Sequence, residues 1–131
     1  VTHHPLFALP VGDEGILGKP VGRQELALDA INELGVDLLL AGHNHRASTH
    51  HARELVTRAG GALVVQAGTA TSIRLRDEEQ SFNLLEVGRE EVTVGLKRWR
   101  DGRFVGAEPT RFRRTEEGWR QAEVLSDPAQ A

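Results

Sequence analysis

A short apolar run at residues 36–41 (Val-Asp-Leu-Leu-Leu-Ala) lies between Gly35 and Gly42 and leaves few folds open to this chain. Such a run, interrupted only by Asp37, is typical of a strand that is covered on both faces of an α/β sheet. Directly before it, residues 22–34 place apolar side chains at helical spacing, and Gly35 suits the end of a helix. A helix followed by a buried strand is half of a βαβ unit, so we predict an α/β fold.

Beyond residue 46 the pattern changes to that of β-strands. We predict strands near residues 47–57, 61–67, 81–88, 91–100 and 103–113, and no further helix. Gly60-Gly61 and Asp101-Gly102 are predicted hairpin turns, the second because both central residues of a type I′ turn must accept positive φ. The C-terminal part is therefore expected to be antiparallel and rich in β-structure, with a frayed tail over about residues 126–131.

Length and composition restrict the class of protein. The chain has 131 residues, of which 39% are hydrophobic and 27% charged, with a net charge of −3 and no cysteine. These values fit a single globular domain over residues 1–131 and do not favour a specific nucleic-acid partner. Without cysteine, any metal must bind His, Asp, Glu or Asn. No stretch approaches the roughly 20 apolar residues that cross a bilayer, and no secretion signal is present, so we expect a cytoplasmic protein with no membrane partner.

The histidines form the strongest functional signal. All six lie in the first 51 residues, where His3-His4-Pro5 and Gly42-His43-Asn44-His45 each follow a predicted strand. Parallel strands joined by a helical crossover place their C-terminal ends side by side, where ligands of open α/β sheets collect. We therefore predict that His3, His43 and His45 converge on one cavity. If the backbone stays extended, residues two apart are about 6.6 Å from each other, which suits two ions about 3.5–4 Å apart.

The two histidine motifs, about forty residues apart, resemble the C-terminal motifs of the calcineurin-like metallophosphoesterases. Residues 66–74 and Ser81-Phe82-Asn83 are also similar to the segments that come after those motifs in bacterial members. The resemblance implies a four-layer αββα sandwich, of which this chain is the C-terminal half. It implies two divalent ions (Mn, Fe, Zn or Mg), with His3 and His43 binding one and His45 the other, while His4 is not a ligand. In this family a bridging hydroxide attacks phosphorus in line.

The family's upstream motifs are absent from this chain, which lacks methionine even at position 1 and reads as a piece of a longer protein. Those motifs would supply the carboxylate ligands, an Asn ligand and the histidine that protonates the leaving group. We interpret Asp13-Glu14 as a solvated loop pair. We therefore expect no catalytic residue in this chain, negligible turnover by the chain alone, and an N-terminal half of the same domain as its partner. Without that half, uncovered sheet edges favour self-association.

The predicted function of the parent protein is a metallophosphoesterase that hydrolyses phosphodiesters, such as cyclic nucleotides or phospholipid-type diesters. Gly68, Thr69 and Ser72 are candidates to line the substrate mouth, with Arg74 near a phosphate. The alternative for this segment is a loop that only turns the chain.

Two other functions remain open. One is a non-catalytic binding or structural domain, since most ligands are absent. The other is a mononuclear zinc hydrolase with His3, His43 and His45 as ligands and an open fourth position.

His50 and His51 are consecutive in a predicted strand, so they point to opposite faces and cannot share one ion.

Overall fold

A computed structural model describes residues 1–10, 16–17, 19–55, 59–73 and 78–122 of the protein. The helices and strands in this part of the chain are β1 Leu9–Pro10, β2 Ile16–Leu17, α1 Gln24–Glu33, β3 Leu38–Ala41, β4 Ser48–His51, α2 Ala52–Leu55, β5 Leu63–Gln66, β6 Ser81–Val87, β7 Glu91–Arg100, β8 Arg103–Gly106, β9 Thr110–Thr115 and β10 Gly118–Gln121. The predicted α/β class with an antiparallel, β-rich C-terminal part is confirmed. No helix within these ranges is both long and apolar enough to cross a membrane. Asp13-Glu14, Arg74 and the predicted frayed tail lie outside the described residues.

A three-stranded sheet in the order β3-β5-β4 carries the histidine motifs. β3 and β5 are parallel, whereas β4 is antiparallel to β5. The first residues of the chain run beside β3: the Thr2 N–H donates to the Leu40 carbonyl at 2.8 Å, and the Gly42 N–H donates to the His3 carbonyl at 3.1 Å. Because the residue numbers rise together on both sides, the two segments run in the same direction. The expected juxtaposition of the two segment ends is therefore present.

The second sheet has five strands, in the order β10-β9-β7-β6, with β8 also paired to β7. Asp101 and Gly102 connect β7 to β8 with φ values of 49° and 79°, which is the positive-φ turn that the sequence predicted. The single strand predicted over residues 103–113 is wrong, because β8 and β9 are separate. Pro109 lies between them, and a proline has no N–H to donate to a strand ladder.

The two sheets and α1 form layers around two hydrophobic clusters. Val64 of β5 packs with Leu28 of α1, whereas Leu63 and Val65 face the second sheet. β5 is completely buried, because it has a strand on each side and a layer on each face. β3, which the sequence predicts to be covered on both faces, is only half-buried, since it lies at one side of its sheet. The strand that is covered on both faces is therefore β5 and not, as the sequence predicted, β3.

The predicted pairing of the strands on either side of Gly60-Gly61 is confirmed, because β4 and β5 are antiparallel, but the tight turn at Gly60-Gly61 is wrong. β4 ends at His51 and leads into the short helix α2, which the sequence did not predict. Gly61 instead lies against β10, where a Cβ added to it would be 2.6 Å from the Gly118 Cα. The Trp119 N–H donates to the Gly61 carbonyl at 3.3 Å. A glycine is required there because two main chains meet closely, not because the chain turns.

Asp37, just before β3, links the two sheets. Its carboxylate accepts a hydrogen bond from Arg114 Nη1 of β9 at 2.7 Å. This hydrogen bond raises the pKa of the Arg114 guanidinium above its ordinary value. The guanidinium also lies over the Trp119 ring, 4.6 Å from its centroid. The pair therefore helps to orient β9 against the first sheet.

Candidate metal centre

A ring nitrogen of His3 and a ring nitrogen of His43 lie within hydrogen-bond distance of each other. His43 Nδ1 lies 3.2 Å from His3 Nε2, and the ring centroids are 5.1 Å apart. Both side chains are exposed. Their approach results from the pairing beside β3, because the Gly42 N–H binds the carbonyl of His3 itself. The main chain thus fixes the two residues before any ligand is considered.

His4 joins this pair, although the family resemblance implies that it is not a ligand. Its ring centroid lies 4.2 Å from that of His43 and 4.8 Å from that of His3. One ring nitrogen from each of the three histidines lies within 4.8 Å of the other two. Within the described ranges, this is the one group of three or more metal-binding side chains so close together. We call it the three-histidine cluster.

His45 does not belong to the three-histidine cluster. The backbone after β3 is not extended, because His43 and His45 have φ values of 70° and 58°. The spacing of about 6.6 Å that an extended chain would give does not apply here, so the premise of an extended backbone is wrong. His45 Nδ1 is buried and has no hydrogen-bond partner. A buried ring nitrogen without a partner is a group that a further ligand or ion could satisfy.

The left-handed backbone of the 42–45 loop is itself a sign of a constrained site. A non-glycine residue with left-handed backbone angles, such as His43 or His45, is less stable by of order 1–3 kcal/mol, and neighbouring contacts must hold it there. Here the Gly42 carbonyl accepts the Asn44 N–H at 2.8 Å and also the side-chain amide of Gln66. Sequence reasoning did not single out Gln66 as a site residue. The sequence feature that could have identified Gln66 is its polar side chain directly after the apolar run Leu63–Val65.

The candidate substrate-binding residues lie in the loop after β5, where their described contacts hold the loop together. The Thr69 hydroxyl accepts a hydrogen bond from the Ser72 N–H at 3.2 Å, and the Thr69 carbonyl accepts one from the Ser81 N–H at 2.7 Å. A Cβ added to Gly68 would be 2.4 Å from Ser81 Oγ. These contacts fit the alternative of a loop that turns the chain. Arg74 is outside the described residues, so a substrate role for this segment stays a prediction.

His50 and His51 lie apart from the three-histidine cluster, in β4. They help to line a cavity of about 520 Å³ between β4, α2 and the β9–β10 hairpin. His51 Nδ1 accepts a hydrogen bond from the Arg53 N–H at 3.3 Å. Because this ring nitrogen already has a hydrogen-bond partner, the position of His51 needs no metal ion to account for it.

The donor set of the three-histidine cluster suits a borderline transition metal. Imidazole nitrogen is a preferred ligand of Zn, Cu, Fe and Ni. Two nitrogens bound to a tetrahedral Zn²⁺ at about 2.0–2.1 Å stand about 3.3 Å apart. His3 Nε2 and His43 Nδ1 are hydrogen-bonded to each other, and their separation of 3.2 Å is close to that value. These two residues could therefore hold one ion without a large rearrangement.

Together, the fold and this site define an α/β protein with a histidine cluster at the ends of two parallel main-chain segments. No protein-family model matches the chain, and no curated protein matches it. It is similar to the solved structure of vacuolar protein sorting 29 from Cryptosporidium parvum, with 25% identity over 81% of this chain and a TM-score of 0.49. It is also similar to Vps29 from Entamoeba histolytica complexed with Zn²⁺, with 27% identity over 76% of this chain and a TM-score of 0.44.

The chain spans about half the length of these two solved structures, 55% and 48% respectively. Vps29 has the calcineurin-like metallophosphoesterase fold. Because both TM-scores lie below 0.5, the proposed function rests on the histidines of this chain and not on the likeness.

Proposed function

We propose that this chain contributes histidine ligands to the divalent-metal site of a metallophosphoesterase. The observation that carries the proposal is the 3.2 Å separation of His3 Nε2 and His43 Nδ1, which suits two ligands of one ion. Both rings are exposed, so an ion held between them is open to a substrate from solvent. His45, whose buried Nδ1 has no hydrogen-bond partner, is the proposed ligand of a second ion.

The reaction that this site supports best is hydrolysis of a phosphodiester, such as a cyclic nucleotide or a phospholipid-type diester. When bound, divalent ions stabilise the negative charge that develops on the phosphoryl oxygens and lower the pKa of water. The chain's own contribution is to hold ring nitrogens in place through the main-chain bond between Gly42 and His3. The three-histidine cluster contains no carboxylate, so we also propose that a complementary N-terminal segment completes the site. We place the protein in the cytoplasm as part of the same proposal.

A second function, a mononuclear zinc hydrolase, is favoured by one specific observation. His4 lies with His3 and His43, so three imidazoles are near each other in the structure. Three protein ligands with an open fourth position are the usual arrangement of a catalytic zinc site. In this alternative the three zinc ligands are His3, His4 and His43, so His4 replaces the His45 that the sequence predicted.

The deciding experiment measures zinc binding and hydrolysis of bis(p-nitrophenyl) phosphate. We expect the chain alone to bind zinc weakly and to hydrolyse the diester negligibly, and the chain supplied with the complementary segment to hydrolyse it. Absence of zinc binding by both would overturn the proposal. Zinc binding without hydrolysis by either form would instead favour the non-catalytic binding domain.

A further inference from the structure

We infer that Gln66 is a positioning residue for the metal-binding pair His3 and His43, an inference that rests on the metal site proposed above. Gln66 ends β5, the central strand of the first sheet, and pairs with Ala41 on one side and Ser48 on the other. Its side-chain amide donates to the Gly42 carbonyl, on the peptide that leads directly into His43. It thus acts on the site through the main chain.

The burial of Gln66 shows that its amide is not present for packing alone. The side chain has 0% relative exposure and is among the largest fully buried ones of the described residues. Its Oε1 has no hydrogen-bond partner, which is unfavourable for a buried amide. The three residues before it in β5 are all apolar, and a leucine would fill the same space without that penalty. The amide N–H on the Gly42 carbonyl is the contact that a leucine could not replace.

The contact matters because Gly42 connects both histidines. Its N–H donates to the His3 carbonyl at 3.1 Å, and its carbonyl accepts the Asn44 N–H at 2.8 Å. The orientation of this carbonyl sets the path of the chain into His43, whose φ is 70°. A donor fixed in the centre of the sheet therefore holds a strained loop in the conformation that brings the His43 ring to His3.

Gln66 is itself held from the second sheet. Asn83 Nδ2 of β6 donates to the Gln66 main-chain carbonyl at 3.0 Å. The Gln66 side chain thus ties the end of β5 to the loop after β3, and the Gln66 main-chain carbonyl ties it to β6. A rigid support of this kind is what a metal ligand needs, because neighbouring hydrogen bonds set the orientation of the ligand ring.

The test compares the Zn²⁺ affinity of the full 131-residue chain with that of Gln66→Leu and Gln66→Met, by competition with a chromophoric chelator. Both variants remove the amide donors and keep a side chain of similar size. We expect each to weaken zinc binding about 10- to 100-fold, the usual range for loss of a group that supports a metal ligand. Urea unfolding of each metal-free protein, followed in parallel, measures stability separately from affinity.

Val65→Ala is the matched control. Val65 is the preceding residue of the same strand, is 2% exposed and packs in the cluster that faces the second sheet. It should lower stability and leave zinc affinity unchanged. Gln66 variants that bind zinc as tightly as the unaltered chain would overturn this inference alone, as would an equal loss of affinity in Val65→Ala at the same stability. Failure to bind zinc by the unaltered chain, both alone and with the complementary segment, would overturn the metal site and this inference with it.

Discussion

The Gly42 N–H donates a hydrogen bond to the His3 carbonyl at 3.1 Å, and this bond joins two histidine motifs that are about forty residues apart in the chain. It places His43 Nδ1 within 3.2 Å of His3 Nε2. The bond involves only main-chain groups, so it does not depend on the protonation of either ring. The two rings are therefore placed near each other by main-chain pairing before a ligand binds.

Replacing His43 by Ala should weaken zinc binding by at least about tenfold, or about 1.4 kcal/mol, because one of two ligands of the same ion is lost. Isothermal titration with Zn²⁺ measures the change. His50→Ala is the control, since His50 lies in β4 and not in the three-histidine cluster. Equal weakening by both substitutions would mean that zinc binds elsewhere on the chain.

His4→Ala and His45→Ala distinguish one bound ion from two. If a single zinc uses the three-histidine cluster, His4→Ala should weaken binding about as much as His43→Ala, because it removes a direct ligand. If two ions bind as in the metallophosphoesterase proposal, His4→Ala should change affinity less than about twofold and His45→Ala should remove the second ion. The metal-to-protein ratio at saturation, measured by elemental analysis, reads out both cases.

Gly61→Ala should destabilise the fold by about 1–3 kcal/mol, the usual cost of overpacking. A Cβ at this position would lie 2.6 Å from the Gly118 Cα, and main-chain atoms cannot move aside as a flexible side chain could. Urea denaturation gives the free energy of unfolding. Gly22→Ala serves as the control, because a Cβ there meets no atom within 4 Å. A Gly61→Ala protein as stable as the control would show that the two sheets do not meet as described.

Asp37→Asn should lower stability by less than about 1 kcal/mol, because the ion pair with Arg114 is partly solvated. The effect should shrink as salt is added, since exposed charges are screened. The Asp37 hydrogen bond raises the pKa of Arg114, a base, so this contribution is fully present below the ordinary pKa of the guanidinium. It would be lost only as the pH rises through the higher folded value. Denaturation at neutral and mildly alkaline pH should therefore give the same difference, and a difference that varied in this range would contradict the assignment.

Local pattern was sufficient for the elements that depend on neighbours in sequence. The helical spacing before Gly35 predicts α1, and Asp101-Gly102 predicts the β7–β8 turn, because both signals involve residues a few positions apart. The position of His3 and His43 at neighbouring ends could also be predicted from the sequence, since a helical crossover leaves few alternatives. These features were set by the order of residues along the chain.

The tertiary structure decided which strand became the buried centre of the sheet and how the loop turns. β3 and β5 are similar apolar runs, and only pairing with β4 makes β5 central and fully buried. Gly61 is a glycine because Gly118, far along the chain, passes beside it. His4 lies beside His3 and His43, and the loop after Gly42 has positive φ at His43 and His45, while the Gly42 carbonyl accepts the Gln66 amide. Each of these outcomes depends on contacts between residues distant in sequence, and no local pattern records such contacts.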